Sequence, residues 1–292
     1  MKAEIEVLQP GLFSSIQDLG RFGFQKYGAP QSGVMDRYAM RICNLLLGNP
    51  QEASVLEMTF QGPKLKFNSE TRICITGADL SPQVNDEPVA NFEQIHVKPG
   101  DILKFGRRKK GFRSYLGISG GFNTETTMGS QSWYEGITSD FRLKKGMKLA
   151  FSEEKFSETD TYSSIRIDSE YMANDEIEVY PGPEFELLPQ THCTRLFNSE
   201  FSIEDSSNRM AVQFKDSLQN ELEPITTGPV LPGTVQLTPS GNLIILMRDC
   251  QTTGGYPRIL QLSETGIQVL SQKMPGEKIK LKKINYQHNG AK

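Results

Sequence analysis

The chain has 292 residues, enough for two compact units that each bury a core. Its 35 acidic and 32 basic side chains nearly cancel, so it lacks the positive field that competes for phosphate backbones in salt, and nucleic acid is not an expected partner. Four cysteines (Cys43, Cys74, Cys193, Cys250) without CxxC spacing and three dispersed histidines (His96, His192, His288) form no local ligand cluster, so no metal is expected and the thiols read as reduced and buried.

The opening MKAEIEVLQPG alternates like a strand where a signal peptide would be continuously apolar, and no later run is long enough to span a membrane. The expectation is a soluble, cytoplasmic protein with no membrane partner. Short alternating runs follow one another along the chain, each bounded by turn residues: EIEVLQPG, RICITGADL, QIHVKPGDILKFG, YLGISGG, GTVQLTPSGNLIILM and KIKLKK. That rhythm predicts a mainly β protein of barrel or sandwich type.

Between the first strands lies SSIQDLGRFGFQKYGAPQSGVMD, residues 14–36, a long glycine-rich loop holding Asp18 and Arg21. Its glycines let backbone amides approach a ligand, arginine offers a planar fork to an anion, and aspartate can orient or deprotonate. An Asp18–Arg21 pair that pins a surface loop accounts for the same residues. Asp36 then caps a predicted helix over RYAMRICNLLL, which Gly48, Asn49 and Pro50 stop. The basic tract GRRKKGFR, residues 106–113, reads as a solvated hairpin tip.

Two echoes suggest related halves. EIEV occurs at residues 4–7 and 176–179, and VKPGDILKF (97–105), LKKGMKLAF (143–151) and KMPGEKIKL (273–281) share a glycine turn followed by alternation. The polar, acidic SEEKFSETDTYSS (152–164) fits a linker, which puts a boundary near residue 160 and divides the chain into 1–160 and 161–292. A further helix is predicted over EFELLPQ, ended by Pro189.

Two clusters in the second half could carry chemistry. EDSSNRMAVQF (204–214) offers Asn208 and Arg209 to a small acid, although turn formation explains Ser207 and Asn208 equally well. Near the end, the apolar NLIILM runs into RDCQTTGGYP, delivering Asp249, Gln251, Thr252, Thr253, Gly255 and Tyr256 to one spot. There the glycines either expose amides as an anion-binding nest or form a hairpin turn before the next strand, and the turn is the reading adopted for them. No GxxxxGK[ST], GxSxG or HExxH is present, and no GxGxxG sits between a strand and a helix.

Read in order, QDLGRFGFQKYGAPQSGVMD, NLLLGNPQEASVLEMTFQGPKLKF, ITGADL, GISGGF and GPVLPGTVQLTPSGNLIILMRDCQTTGGYP resemble the allophanate hydrolase subunit 2 family, also called the biotin-dependent carboxyltransferase family, which includes the C subunits of 5-oxoprolinases and Kip antagonist-like proteins. The resemblance implies two tandem cyclophilin-like β-barrel domains with a few short helices. It implies a C-type component of an ATP-dependent 5-oxoprolinase, which opens 5-oxo-L-proline to L-glutamate with A-type and B-type (Kip-inhibitor-like) partners and is inactive alone. ATP would be the cofactor, with a partner protein sharing its site. The alternatives are a carboxyltransferase acting with carboxybiotin on a urea- or amide-type substrate, and a non-catalytic regulatory partner of a Kip-inhibitor-like protein. Biotin is not expected on this chain, which has no Met-Lys-Met attachment site.

The family's marked positions fall on Gln17, Asp18, Gly20 and Arg21, on Asp36, Asn44 and Glu57, and on Asp249, Gln251, Thr252, Thr253, Gly255 and Tyr256. The resemblance gives Asp249 or Asp18 the proton-handling or orienting role, Arg21 and Arg209 the anion, and the threonines and glycines a developing oxyanion. A partner-docking apolar patch is also expected. SNRMAVQF stands where the family has SNRMGYRL, and GSQSW (129–133) where it has GSRST, which bears on the substrate and leaves the fold untouched.

Overall fold

The computed structural model describes residues 3–152 and 166–285, so the expected boundary near residue 160 and nearly all of the acidic stretch lie outside the described residues. The protein is mainly β, and the chain divides into two compact units, residues 1–22 with 32–173 and residues 23–31 with 174–292.

The first unit carries two sheets. One runs Lys148–Ala150, Glu4–Gln9, Lys64–Phe67, Ile102–Phe105, Pro82–Val84, Glu87–Pro88; the other runs Phe13–Gln17, Val55–Thr59, Lys110–Ile118, Thr71–Asp79, Gln94–Val97. Their alternating residues meet in one core, to which Ile5, Leu65 and Leu103 come from the first sheet and Ile16, Ile73 and Leu116 from the second. The second unit has a seven-stranded sheet ordered Glu200–Ser202, Lys278–Lys283, Glu176–Pro181, Arg258–Leu262, Thr234–Leu237, Asn242–Leu246, Ala211–Ser217, and a two-stranded ribbon of Gly228–Pro229 with Thr253–Gly254.

The sequence echoes have a physical basis. In each of the three glycine-turn copies the residue after the glycine donates back three positions, Asp101 to Lys98, Met147 to Lys144 and Glu277 to Met274, and Gly100, Gly146 and Gly276 all adopt a left-handed backbone. That is the geometry in which glycine at the third turn position avoids a Cβ clash. Each turn then locks onto a neighbouring strand in the same way. The glycine amide donates to the carbonyl of Phe67, Val7 or Ile203, and the amide of that same residue donates to the carbonyl of Asp101, Met147 or Glu277. EIEV likewise forms an alternating interior strand both times, burying Ile5 and Val7 in one copy and Ile177 and Val179 in the other.

Helix α1 spans Arg37–Leu47, with Asp36 accepting from the Ala39 amide at its start and left-handed Gly48 at its end. It buries Ala39, Met40, Cys43 and Leu47 against the Thr71–Asp79 and Lys110–Ile118 strands. The close approach depends on Gly117, where a Cβ would stand 2.6 Å from the Cys43 sulfur and 2.9 Å from Leu47 Cδ1.

Two expectations need correction, and two helices were not foreseen. The EFELLPQ segment makes only a 3-10 turn, Phe185–Leu187, and Pro189 opens the next helix, α2 (Gln190–Asn198), because a proline has no amide to leave unpaired at a helix start. Helix α3, Glu264–Ser271 capped by Ser263, had no apolar stripe long enough to stand out. The GRRKKGFR tract is not a hairpin tip: the strands on either side of it belong to different sheets, and its Arg113 is buried. Among the described residues no helix is long and apolar enough to cross a membrane.

Replacing Gly117 with alanine forces α1 off its strand, an overpacking change that costs about 1–3 kcal/mol. A urea unfolding curve of Gly117→Ala therefore shifts to a lower midpoint, with an unchanged slope.

Candidate functional site

In the first unit the QDLGR loop turns out to be a clamp on residues 130–133. The Asp18 carboxylate accepts four hydrogen bonds, from the Gly20 amide at 2.8 Å, the Ser130 and Ser132 hydroxyls at 2.6 Å each, and the Gln131 amide at 2.6 Å. Gln17 donates to the Trp133 carbonyl at 3.2 Å, and the fully buried Arg21 donates to the Ser132 carbonyl. All three side chains grip the GSQSW stretch, and Gln131 adds bonds of its own to the Phe122 and Thr124 carbonyls. Of the two readings left open for Asp18, the pinned loop describes this geometry, with Ser130, Gln131 and Ser132 among its partners.

A second buried group surrounds the start of α1. Glu57 accepts from the Met35 amide at 2.7 Å and lies 3.9 Å from Arg113 Nε; the Tyr115 oxygen accepts from the Asp36 amide at 3.0 Å. Asp36 also accepts from the Tyr171 hydroxyl, and Asn44 donates to the Ala53 carbonyl at 2.7 Å. Burial, then the charges of Glu57 and Asp36, push the Tyr115 hydroxyl well above its usual pKa, so it stays neutral. Sequence reasoning missed Arg113, Tyr115, Ser130 and Ser132. Arg113 and Tyr115 were detectable, since alternation along the Lys110–Ile118 strand puts them on one face and Tyr115 pairs directly with Glu57.

In the second unit the structure brings the two predicted clusters together. Arg209 grips Asp249 side-on, Nε to Oδ2 at 2.8 Å and Nη2 to Oδ1 at 3.0 Å, and the Asp249 amide donates to the Arg209 carbonyl at 3.0 Å. Their side chains are 8% and 12% exposed, so the pair sits at a covered edge that a ligand could reach. Asn208 serves the turn reading, its oxygen taking the Met210 amide at 2.7 Å. Gln251 and Thr253 are exposed, Thr252 and Gly255 partly so, and Tyr256 is 40% exposed. Met210 and Leu231 are exposed as well, on segments bonded to residues 246 and 247. Burial, and then Asp249, push the Cys250 thiol up to about 12, which removes it as a nucleophile.

The glycines do not form the expected hairpin turn. Thr253–Gly254 is extended and pairs with Gly228–Pro229, and the strands on either side, Asn242–Leu246 and Arg258–Leu262, are separated by Thr234–Leu237. The physical reason is room: a Cβ on Gly254 would lie 2.4 Å from the Gln236 amide nitrogen, so glycine lets the ribbon close over that side chain. Neither Gly254 nor Gly255 adopts the left-handed backbone that a nest alternates. Among the described residues no group of three or more His, Cys, Asp or Glu could hold a metal.

Residues 27–283 match the family model described as the carboxyltransferase domain, subdomain A and B. The chain belongs to that family. It is 30% identical to the 5-oxoprolinase C subunit of Haemophilus influenzae, over 97% of this chain and 92% of that one, and 30% identical to the Escherichia coli K12 protein of the same name, over 94% and 89%. The crystal structure of the Kluyveromyces lactis urea carboxylase superposes with a TM-score of 0.85 at 27% identity, covering 98% of this chain and 28% of that larger one. Carboxyltransferase-family members thus occur both as separate subunits of an enzyme and as regions of larger enzymes.

Removing one partner of the Arg209–Asp249 pair strands a covered charge, at a cost of about 3–5 kcal/mol. Arg209→Met and Asp249→Asn should each destabilise the chain by about that much, and the double variant by clearly less than their sum, as a double-mutant cycle of chemical unfolding will read.

Proposed function

We propose that this chain is the C-type subunit of an ATP-dependent 5-oxoprolinase that hydrolyses 5-oxo-L-proline to L-glutamate, acting with A- and B-type subunits. The observation that carries this reading is the end-to-end match to a separate C subunit, 97% of this chain against 92% of that one at 30% identity. The urea carboxylase match supports the wider class, chemistry at an amide beside an acid, but as a fraction of a much longer chain.

The arrangement suits a binding and orienting part in that chemistry. Arg209 fixes the Asp249 carboxylate in one plane, and the segment that follows it carries the partly or fully exposed Thr252, Thr253 and Tyr256, whose hydroxyls suit an amide oxygen or nitrogen. Phosphate sites of the usual kind do not fit. The starts of α1 and α3 are already closed by Asp36 and Ser263, with Glu264 adding negative charge, and α2 follows no glycine-rich turn. In this reading ATP is bound with a partner protein, and no step is routed through it on this chain.

Mixing the chain with A- and B-type subunits should give 5-oxoproline-dependent release of phosphate and glutamate, lost when any one component is omitted. Full activity without this chain, or none with all three, overturns the reading. In the active mixture Asp249→Asn, assayed where unfolding curves show it folded, should lower kcat by at least about tenfold if its carboxylate orients the substrate.

A further inference from the structure

The first unit contains a cavity of about 540 Å³, within the range that small-molecule sites occupy, and it involves none of the residues discussed above as a site. Its walls come from three strand ends and loops, residues 77–83, 88–92 and 109–110, and Ser169 and Met172 stand at its edge. Lys109 and Lys110, the middle of the basic tract, supply its cations, and Asp79 is the one carboxylate in its lining. Val89, Phe92, Pro82 and Met172 supply apolar surface.

We propose that this cavity binds a small, singly charged carboxylic acid with a compact ring, its carboxylate meeting the ammonium groups of Lys109 and Lys110. Each lysine already faces one carboxylate, Lys109 that of Asp79 and Lys110 that of Glu170, so an entering anion takes the place of a single carboxylate, and a triphosphate would bring more charge than the pairs release. Both cations are held in pairs that water reaches, with Lys110 itself 35% exposed. Lys109 is 69% exposed and 3.6 Å from Asp79, and the partner of Lys110, Glu170 at 2.8 Å, is 81% exposed, so both are surface pairs of low energy that an incoming anion can exchange.

The rest of the cavity is held in place. The Asp79 carboxylate accepts the Ser81 amide at 2.8 Å, Asn91 donates to the Ala78 carbonyl at 3.2 Å, and the Phe92 amide donates to Ile75 at 2.7 Å. Ser81 and Phe92 both carry left-handed backbones, with φ of 50° and 63°, a costly state for residues with side chains that gathers at binding sites. At the edge, the Asp168 amide donates to the Tyr38 hydroxyl at 2.9 Å, and the Tyr38 and Tyr171 rings meet edge-on at 5.2 Å, which anchors the segment bearing Ser169 and Met172 to α1. Naming the acid as 5-oxoproline rests on the function proposed above; the preference for a monoanionic ring acid rests on the cavity alone.

Calorimetric titration of the full chain alone, at low salt, tests this with 5-oxoproline, proline and benzoate as ring acids, 2-pyrrolidone as the lactam ring without a carboxylate, and inorganic phosphate and ATP as other anions. The expected result is saturable one-to-one binding of a ring acid, weakened at least about tenfold in a Lys109→Ala/Lys110→Ala double variant. Ala90→Trp, which fills the mouth from an exposed position, should abolish it, and 2-pyrrolidone should bind at least about tenfold more weakly. Thermal unfolding of both variants near the parent temperature separates lost binding from lost fold. The proposal is overturned if no ring acid saturates, if ATP or phosphate binds in its place, or if both variants bind as the parent does. Lysine-dependent binding of another acid but not of 5-oxoproline keeps the cavity and counts against the 5-oxoprolinase reading. A three-component mixture that turns over 5-oxoproline with the same KM in the double-lysine variant keeps that reading and removes the cavity from it.

Discussion

A carboxylate taken out of water must be met by donors, and this chain uses that requirement to fasten its irregular segments. Asp18 holds residues 130–132, Asp36 holds the first turn of α1 and Tyr171, Glu57 holds the Met35 amide, and Asp249 holds Arg209. Each bond spans a long stretch of sequence or closes a helix end. Sheets satisfy their own backbone groups, but the loops between them cannot, and a carboxylate with two acceptor oxygens can serve several loop amides at once. Irregular loops in a mainly β chain can therefore be rigid without being short.

The same constraint divides the family's marked positions by task. Gln17, Asp18, Arg21, Asp36, Asn44 and Glu57 bond to backbone groups of their own unit, and Asp18 and Asp36 also to hydroxyls, so each positions a loop or a helix end. Asp249 differs in being gripped by an arginine through two nitrogens and in lying next to exposed polar residues. An arginine holding a carboxylate through Nε and Nη2 fixes its plane and leaves its outer lone pairs in a defined direction. Orientation of this kind is what a residue that meets substrate requires.

The legibility of the sequence followed the range of the forces involved. Strand alternation, the cap at Asp36, the stop at Gly48 and the three glycine turns are local, set by neighbours within a few positions, and all are found where the pattern put them. The Arg209–Asp249 pair was half legible: both clusters stood out by composition, but nothing in either one says that the strands and loops between them return one to the other across 40 positions. Gly254 and Gly255 misled because a glycine pair that makes a turn and one that makes room for Gln236 look the same in sequence. The GRRKKGFR tract misled for a related reason. Its charge suggested solvent throughout, whereas the strand period sends Arg113 inward to Glu57 and leaves only the segment before it outside.

That split within one basic tract bears on how its lysines can be used. Arg113 has a buried carboxylate opposite it and is committed to the fold, while Lys109 and Lys110 reach only carboxylates that water also reaches. A buried pair resists exchange because separating it leaves a charge without solvent, and an exposed pair exchanges readily because water stabilises both ends. Adjacent residues of one strand end thus carry opposite duties, the inward cation holding the sheet to α1's neighbourhood and the outward cations remaining available. A cavity wall needs both kinds: a fixed backbone to keep its shape and loosely held charge to meet what enters.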